Sequence, residues 1–434
     1  MLIPAPLREL ATRLHERVVG TGMGDRTKVV LRGIAWVMPA ALIARVTTGV
    51  TTLLTARWLG PEAWGHAGLA LAASLWIQVP LFLGIPAALM NAIPRAEESD
   101  RLAWARTGAL LLAISGSLTL VGGFLLREPL AAWAGMGVPE FSGGLAWCAG
   151  YVVYTAGLAS LSGLERFRTR ALAEVGFGVI FPALVVVLKL TGLLTWQGYL
   201  QAMAGGYALA GLARFVVGGA PAPGIDARTS ERVRGLMHFG AVATVSILAS
   251  ALMQAVGRQV ISHHFKVEDV GVLAAYQGGS IQVAMYVQAL LTMIFFPVAS
   301  RTPDRTALFR KVTRLLGPLA LLSSVGCAAV LLAWMRLLGR EYPLDIATVV
   351  AFAVAAGLAL AFYVVFSMLA SAGSRGMAAA TFTQLVNGGV NLVACLALIP
   401  KFGVLGAGVA SAIGMAAGIA SAFLPTVRRW AGVA

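Results

Sequence analysis

Apolar runs of about twenty residues follow one another from residue 33 almost to the end of this 434-residue chain. Roughly 20 helical residues, rising about 1.5 Å each, cross the hydrocarbon core of a bilayer. Twelve spans are expected, at 33–56, 66–90, 107–126, 141–161, 172–190, 197–218, 236–257, 270–298, 315–335, 346–370, 377–399 and 404–427. Only 12% of the residues are charged and 59% are hydrophobic, too few charges to cover a water-soluble surface. The expected fold class is therefore an all-α integral membrane protein. Its apolar runs reach the C-terminus, so no attached soluble domain is expected.

The net charge of +15 raises the question of nucleic acid, but its distribution answers it. With the N-terminus inside, the inner segments hold 24 of the 33 Lys and Arg residues, the outer connections eight, and Arg45 lies within a span. This bias is the positive-inside pattern and places both termini in the cytoplasm. No nucleic-acid partner is needed to explain the charge. Residues 1–32 form an expected cytoplasmic arm, in which Leu7, Leu10, Ala11, Leu14 and Val18 recur at helical spacing between arginines. Such a pattern suits an amphipathic helix on the inner leaflet, with a frayed tail as the competing reading. No cleaved signal peptide is expected. Cys148, Cys327 and Cys395 lie in apolar stretches, odd in number and without metal spacing, and read as small core residues.

The phrase "TARWLGPEAWG", residues 55–65, interrupts two apolar runs. Gly60 suits a helix C-terminus and Pro61 the first turn of the next helix, with Glu62 near its positive end. Trp58 and Trp64 suit the headgroup belt. "FKVEDVG", at 265–271, follows span seven as "LGPEAWG" follows span one. Glu62 and Glu268, Gly65 and Gly271, and Ser74 and Ser280 are each 206 residues apart. Two six-span sets of the same orientation make a parallel repeat about an axis along the membrane normal, a transporter's architecture. The expected organisation is the arm at 1–32, an N-terminal lobe at 33–218, a cytoplasmic linker at 219–235, a C-terminal lobe at 236–427 and a tail at 428–434.

These stretches carry a resemblance. "TARWLGPEAWG" resembles the turn after the first helix in Wzx-type polysaccharide and O-antigen flippases of the MOP superfamily. "VGVLAAYQGGS" with "FFPVASR" resembles their eighth helix, and "NLVACLALIPKFGVLGAGVASAIG" their eleventh-to-twelfth helix turn. The resemblance implies a V-shaped helical transporter that alternates between inward-open and outward-open states. It would carry an undecaprenyl-diphosphate-linked oligosaccharide, an O-antigen or exopolysaccharide repeat unit, between leaflets of a bacterial cytoplasmic membrane. Two departures stand out. Family members often carry an Asp near the outer end of helix seven, where this chain has Gly257-Arg258. The family's lipid II flippase has two further C-terminal helices, which disfavours that substrate here.

Arg45 is the sharpest residue-level signal. It sits about twelve residues into span one, where a charge costs at least about 2.5–3.5 kcal/mol and must face a watery cavity or a partner. A guanidinium matches diphosphate oxygens bidentately, so Arg45 is the expected substrate contact. An internal bond to carbonyls or a Gln is the competing reading. Of eighteen acids only Glu174 falls within a span, at an edge, which suits anionic rather than cationic cargo. Arg258 and Lys189 near outer ends, Arg214 near an inner end and Arg32 at the mouth of span one are further basic candidates. Snorkelling or topology anchoring competes for each. Asn387 and Asn391 on one helical face, Gln277, Gln282 and Gln288 along span eight, and Gln254 in span seven suit sugar hydroxyls, with interhelical hydrogen bonding as the alternative. Thr47, Thr48, Thr51 and Thr52 read as close-packing or backbone-bonded residues. Pro39, Pro80, Pro86, Pro182 and Pro297 are candidate hinges, with simple kinks as the alternative.

The five histidines form no expected site, and neither a cofactor nor a metal is expected. A glycan polymerase or ligase would want a long outer loop bearing acids or arginines, and the outer connections are short. The expected function is a flippase and not an enzyme. A multidrug exporter of the same superfamily is the alternative, ahead of a lipid II flippase. Expected partners are the lipid-linked oligosaccharide, membrane lipids and polysaccharide-assembly proteins, with the chain a monomer.

Overall fold

A computed structural model describes residues 25–218, 225–288 and 305–432. Among them all regular structure is helical. The α-helices are α1 (Asp25–Phe82), α2 (Ile85–Ala92), α3 (Glu98–Leu125), α4 (Arg127–Trp133), α5 (Val138–Gly163), α6 (Phe167–Leu190) and α7 (Trp196–Gly218), then α8 (Thr229–His264), α9 (Val267–Gly279), α10 (Arg305–Leu338), α11 (Ile346–Ala370), α12 (Gly373–Ser421) and α13 (Pro425–Trp430). Residues 281–288 are helical as well. The expected arm helix at 7–18 lies outside the described residues, as do 219–224 of the linker.

Eight of these helices, α1, α3, α5, α6, α8, α10, α11 and α12, are long and apolar enough to cross a membrane. Two are too long to be single spans: 49 residues in α12 would reach about 74 Å against a core of about 30 Å. Each breaks at a glycine, α1 at Gly60 (φ 76, ψ 170) and α12 at Gly403 (φ 54, ψ −130). Positive φ is the region that glycine enters without a Cβ penalty. Past Gly403 the chain doubles back, so a Cβ on Gly406 would lie 2.6 Å from the Leu398 carbonyl oxygen. The two broken helices thus supply the first two and last two expected spans. Helix α7 fills the sixth, and α9 opens the eighth. Of the candidate hinge prolines, Pro39 and Pro80 sit inside α1 and Pro182 inside α6, Pro86 opens α2 just after the break at Leu83-Gly84, and Pro297 lies outside the described residues.

The helices form two groups. Helices α5, α6 and α7 pack on α1, while α12 packs on α8, α11 on α12 and α10 on α11. The groups meet where α1 runs against α8 and α9. Apolar side chains such as Leu118, Leu190, Leu321 and Leu322 stand exposed on the outside, a surface made for lipid tails.

The 206-residue repeat is visible in the contacts. A Cβ on Gly65 would overlap the Val267 carbonyl oxygen, and a Cβ on Gly271 would overlap that of Pro61. Pro61 and Val267 are themselves 206 residues apart, so the two contacts are mates across a pseudo-twofold axis. Small residues let these backbones touch. Nearby, Tyr342 donates to the Ala56 carbonyl (2.8 Å) and Arg57 to that of Leu337 (3.2 Å). This end of the bundle, which carries the Gly60 turn, is sealed. We call it the hairpin end.

The opposite end holds an ion cluster between the groups. Arg232, at the start of α8, donates to both carboxylate oxygens of Asp226 (2.7 Å each) and to Asp100 in the first turn of α3 (3.3 Å). These bonds from Arg232 hold the Asp226 carboxyl below its usual range. A depressed carboxylate contributes stability that is full above the ordinary Asp pKa and is lost as pH falls through the folded value. Thermal melts in nanodiscs are expected to fall below about pH 4 in the wild type, and Asp226→Asn is expected to flatten that part of the profile. An unchanged acid limb in Asp226→Asn would remove this cluster as a cause.

Candidate functional site

Arg45 lies fifteen residues before Gly60, about 22 Å of helix from the hairpin end. Its side chain is accessible, and its guanidinium carbon sits 4.9 Å from the ring centroid of Tyr286, on the helical stretch after α9. The contact crosses from one helix group to the other. Cation–π stacking leaves the N–H edge of a guanidinium open to other partners. Arg45 pairs with no acid among the described residues. Tyr151 of α5, Tyr207 of α7 and Glu174 of α6 lie within electrostatic range of it.

Those tyrosines belong to an aromatic cluster that the sequence did not reveal. Tyr207 stacks on Phe177 at 4.0 Å, Tyr151 lies 4.4 Å from Trp147, and Tyr151 and Tyr154 lie 5.1 and 5.0 Å from Tyr207. Tyr151 and Tyr207 are only half-buried. A signal existed: tyrosine favours membrane interfaces, so three tyrosines well inside spans call for a polar surrounding. Glu174, the acid foreseen within a span, is buried and bonded to Arg170 at 3.2 Å, and Arg170 also donates to Ser162 at 2.7 Å. Glu174 thus brings no unneutralised carboxylate to the cluster.

A second site lies in the other group. Gln254 and Arg258 of α8, Gln277 of α9, Gln282 beyond it, and Asn387, Asn391 and Ser411 of α12 line one pocket, with Met253, Met285 and Met415 filling its apolar wall. In the sequence these amides are separate candidates; the fold brings them together because α8, α9 and α12 pack as neighbours. Arg258 is buried, only 8% exposed. It donates from Nε to Gln277 Oε1 (2.9 Å) and from Nη1 to the Gly68 carbonyl of α1 (3.1 Å). Headgroup snorkelling therefore does not describe this arginine. Taking a guanidinium out of water costs several kcal/mol, and two charge-assisted bonds of roughly 1.5–3 kcal/mol each offset part of that. No carboxylate among the described residues compensates its charge.

The amides divide. Asn391 donates to the Leu252 and Met253 carbonyls (3.5 and 3.4 Å), and Asn387 to the Met415 sulfur (3.1 Å). These two bind helix to helix. Gln254 and Gln282 are half-buried and have no protein partner among the described residues, so their amides remain for a guest.

The other candidates lie elsewhere. Lys189, in the last turn of α6, sits over the Trp58 ring at 5.3 Å, on the surface near the hairpin end. The side chains of Arg32 and Arg214 fall outside the described residues. Thr47 and Thr51 bond back to their own helix, and Thr52 meets Tyr199 at 3.3 Å. Trp64 is buried edge-on against Tyr199 rather than in a headgroup belt, because α1 turns inward at Gly60. One histidine has a charged partner. His66 Nδ1 lies 2.5 Å from Glu140 Oε1, and Glu140 is buried in the first turn of α5, which starts earlier than the expected span. Among the described residues no three His, Cys, Asp or Glu side chains converge as metal ligands.

Residues 30–303 match the family model described as polysaccharide biosynthesis protein. The chain belongs to this family. No curated protein sequence matches it. Solved structures with the same fold include an inward-facing MATE-family multidrug resistance transporter of the MOP superfamily, with a TM-score of 0.62 at 15% identity, covering 91% of this chain and 98% of that one. The Vibrio cholerae MATE transporter VcmN, in its bent form, gives 0.56 at 15%, covering 93% and 98%. The lipid II flippase MurJ, in an inward closed conformation, gives 0.54 at 10%, covering 88% and 86%. At these identities the likeness is one of fold. This family member is thus a multi-span helical protein built as membrane transporters of the MOP superfamily are.

Proposed function

We propose that this protein is a flippase that moves a polyprenyl-diphosphate-linked oligosaccharide from the inner to the outer leaflet of a bacterial cytoplasmic membrane. The observation that carries the reading is Arg45: an accessible guanidinium deep in a span, paired with no described acid and beside half-buried tyrosines. A fixed cation there attracts the diphosphate, and tyrosine faces suit the apolar face of a sugar ring. The topology that fits has both termini in the cytoplasm and the hairpin end outside. The described state is then closed outward. Residues 33–218 and 236–427 act as the two lobes, and rocking of one against the other exposes Arg45 alternately to each side. The bilayer is the solvent for the polyprenyl tail, and the polar cleft is the path for the headgroup. No step needs covalent chemistry.

A cation exporter is the second reading, because MATE transporters share the fold. It would need an unpaired acid in the cleft, whereas Glu174 is bonded to Arg170 and Glu140 to His66. The test is leaflet exchange of a fluorescent undecaprenyl-diphosphate oligosaccharide in proteoliposomes, run beside efflux of a cationic dye. Rapid exchange without dye efflux is expected. Dye efflux with no exchange across several glycans would replace the flippase by the exporter.

A further inference from the structure

We propose that the pocket around Arg258 is a second anion site, for a phosphate group, and that its occupancy is read by the seal at the hairpin end. The site is distinct from Arg45 in depth. Arg258 lies six residues before the end of α8, about 9 Å of helix, whereas Arg45 lies about 22 Å from the same end. Gln277 and Tyr286, which meet the two arginines, are nine residues apart on the same stretch of chain.

Three observations define the ligand class. The one charge among the residues lining the pocket is a guanidinium, buried and without a described carboxylate. Two amides, Gln254 and Gln282, stand in its wall without protein partners among the described residues. Gln277 accepts from Arg258 through Oε1, which leaves its Nε2–H groups to donate. A cluster of donors around a fixed positive charge takes an anion and repels a cation. The coupling follows from the other bond of the same arginine. Nη1 of Arg258 is held by the Gly68 carbonyl, one helical turn along α1 from Gly65. Gly68 itself packs on Val270 and Ala274 of α9, next to the Gly65 and Gly271 contacts. The cavity, about 20 Å³, has room for little more than a water molecule, so an anion enters only as the pocket widens and draws the guanidinium in, which loosens its hold on Gly68 and with it the α1–α9 seal.

The lipid diphosphate headgroup, on the flippase reading, and free pyrophosphate share this chemistry. The experiment separates them. Full-length protein in phosphatidylcholine nanodiscs would carry Ala274→Cys as a reporter of the seal, against a background of the three buried native cysteines. Maleimide labelling would be followed as inorganic pyrophosphate is added. Labelling is expected to accelerate at least about five-fold in the wild type and to be fast and unresponsive in Arg258→Gln. Arg45→Ala is expected to keep the response. Gln282→Leu leaves the Arg258 bonds intact, so its labelling without pyrophosphate should equal the wild type. Its half-maximal pyrophosphate concentration should rise about ten-fold, the loss of one hydrogen bond to a charged group. Competition by a short-chain polyprenyl diphosphate assigns the site to the headgroup, and its absence assigns it to the free anion. No pyrophosphate response in the wild type, or a response that survives in Arg258→Gln, overturns the proposal. Because nothing in this assay requires translocation, such a failure leaves the flippase reading standing.

Discussion

Arg45→Ala is expected to slow transfer of a fluorescent undecaprenyl-diphosphate oligosaccharide across proteoliposomes by about 100-fold. Two hydrogen bonds to a charged group are worth roughly 3 kcal/mol, and each 1.36 kcal/mol is about a factor of ten. Arg45→Lys keeps the charge but not the planar fork, so about ten-fold is expected to be lost. The protein should remain folded in both, because the side chain is accessible and stacks on Tyr286 with no ion pair among the described residues. Thermal melts of the variants therefore accompany the transport assay. An Ala variant that melts as the wild type and still transfers lipid within about two-fold removes Arg45 from the substrate path. Tyr286→Leu separates the two roles of the pair. If the ring merely parks the guanidinium, transport should survive its removal.

Gly271→Ala is expected to disturb the hairpin end strongly. The added carbon would overlap the Pro61 carbonyl, and a backbone oxygen has no rotamer with which to yield. Helices α1 and α9 must separate, at a cost of about 2 kcal/mol or more. Gly65→Ala presents the mirror problem against Val267 and should cost a similar amount. Because one seal serves both contacts, the double variant is expected to add under about 1 kcal/mol to either single one. Gly49→Ala is the control: nothing lies within 4 Å of its added carbon, and its stability should change by no more than about 0.5 kcal/mol. The measurement is denaturation in nanodiscs together with cysteine labelling at the hairpin end. Strict additivity of Gly65→Ala and Gly271→Ala would show that the two contacts belong to separate interfaces and not to one pseudo-symmetric seal.

Three features of this protein were legible in the residues alone. The spans follow from the length of apolar runs, because a bilayer imposes one thickness on every crossing helix. The repeat was readable in Gly65 and Gly271 with their flanking acids, since a turn between two spans needs the same residue types wherever it recurs. Arg45 was readable as a charge within a span, where its cost calls for a polar cavity or a partner. Arg258 was not. Its place near a span end suggested a side chain reaching for headgroups, and only the packing of α1 against α8 and α9 buries it. The tyrosine cluster and the grouping of Gln254, Gln277, Gln282, Asn387 and Asn391 likewise wait on which helices become neighbours. The same holds for the closeness of Gly65 to Val267 and of Gly271 to Pro61. Hydropathy is a property of one helix and its solvent, so sequence reports it directly. Partnership between helices depends on shape over long separations in the chain, and in a bilayer it is set by close contact and hydrogen bonding, which tertiary structure alone decides.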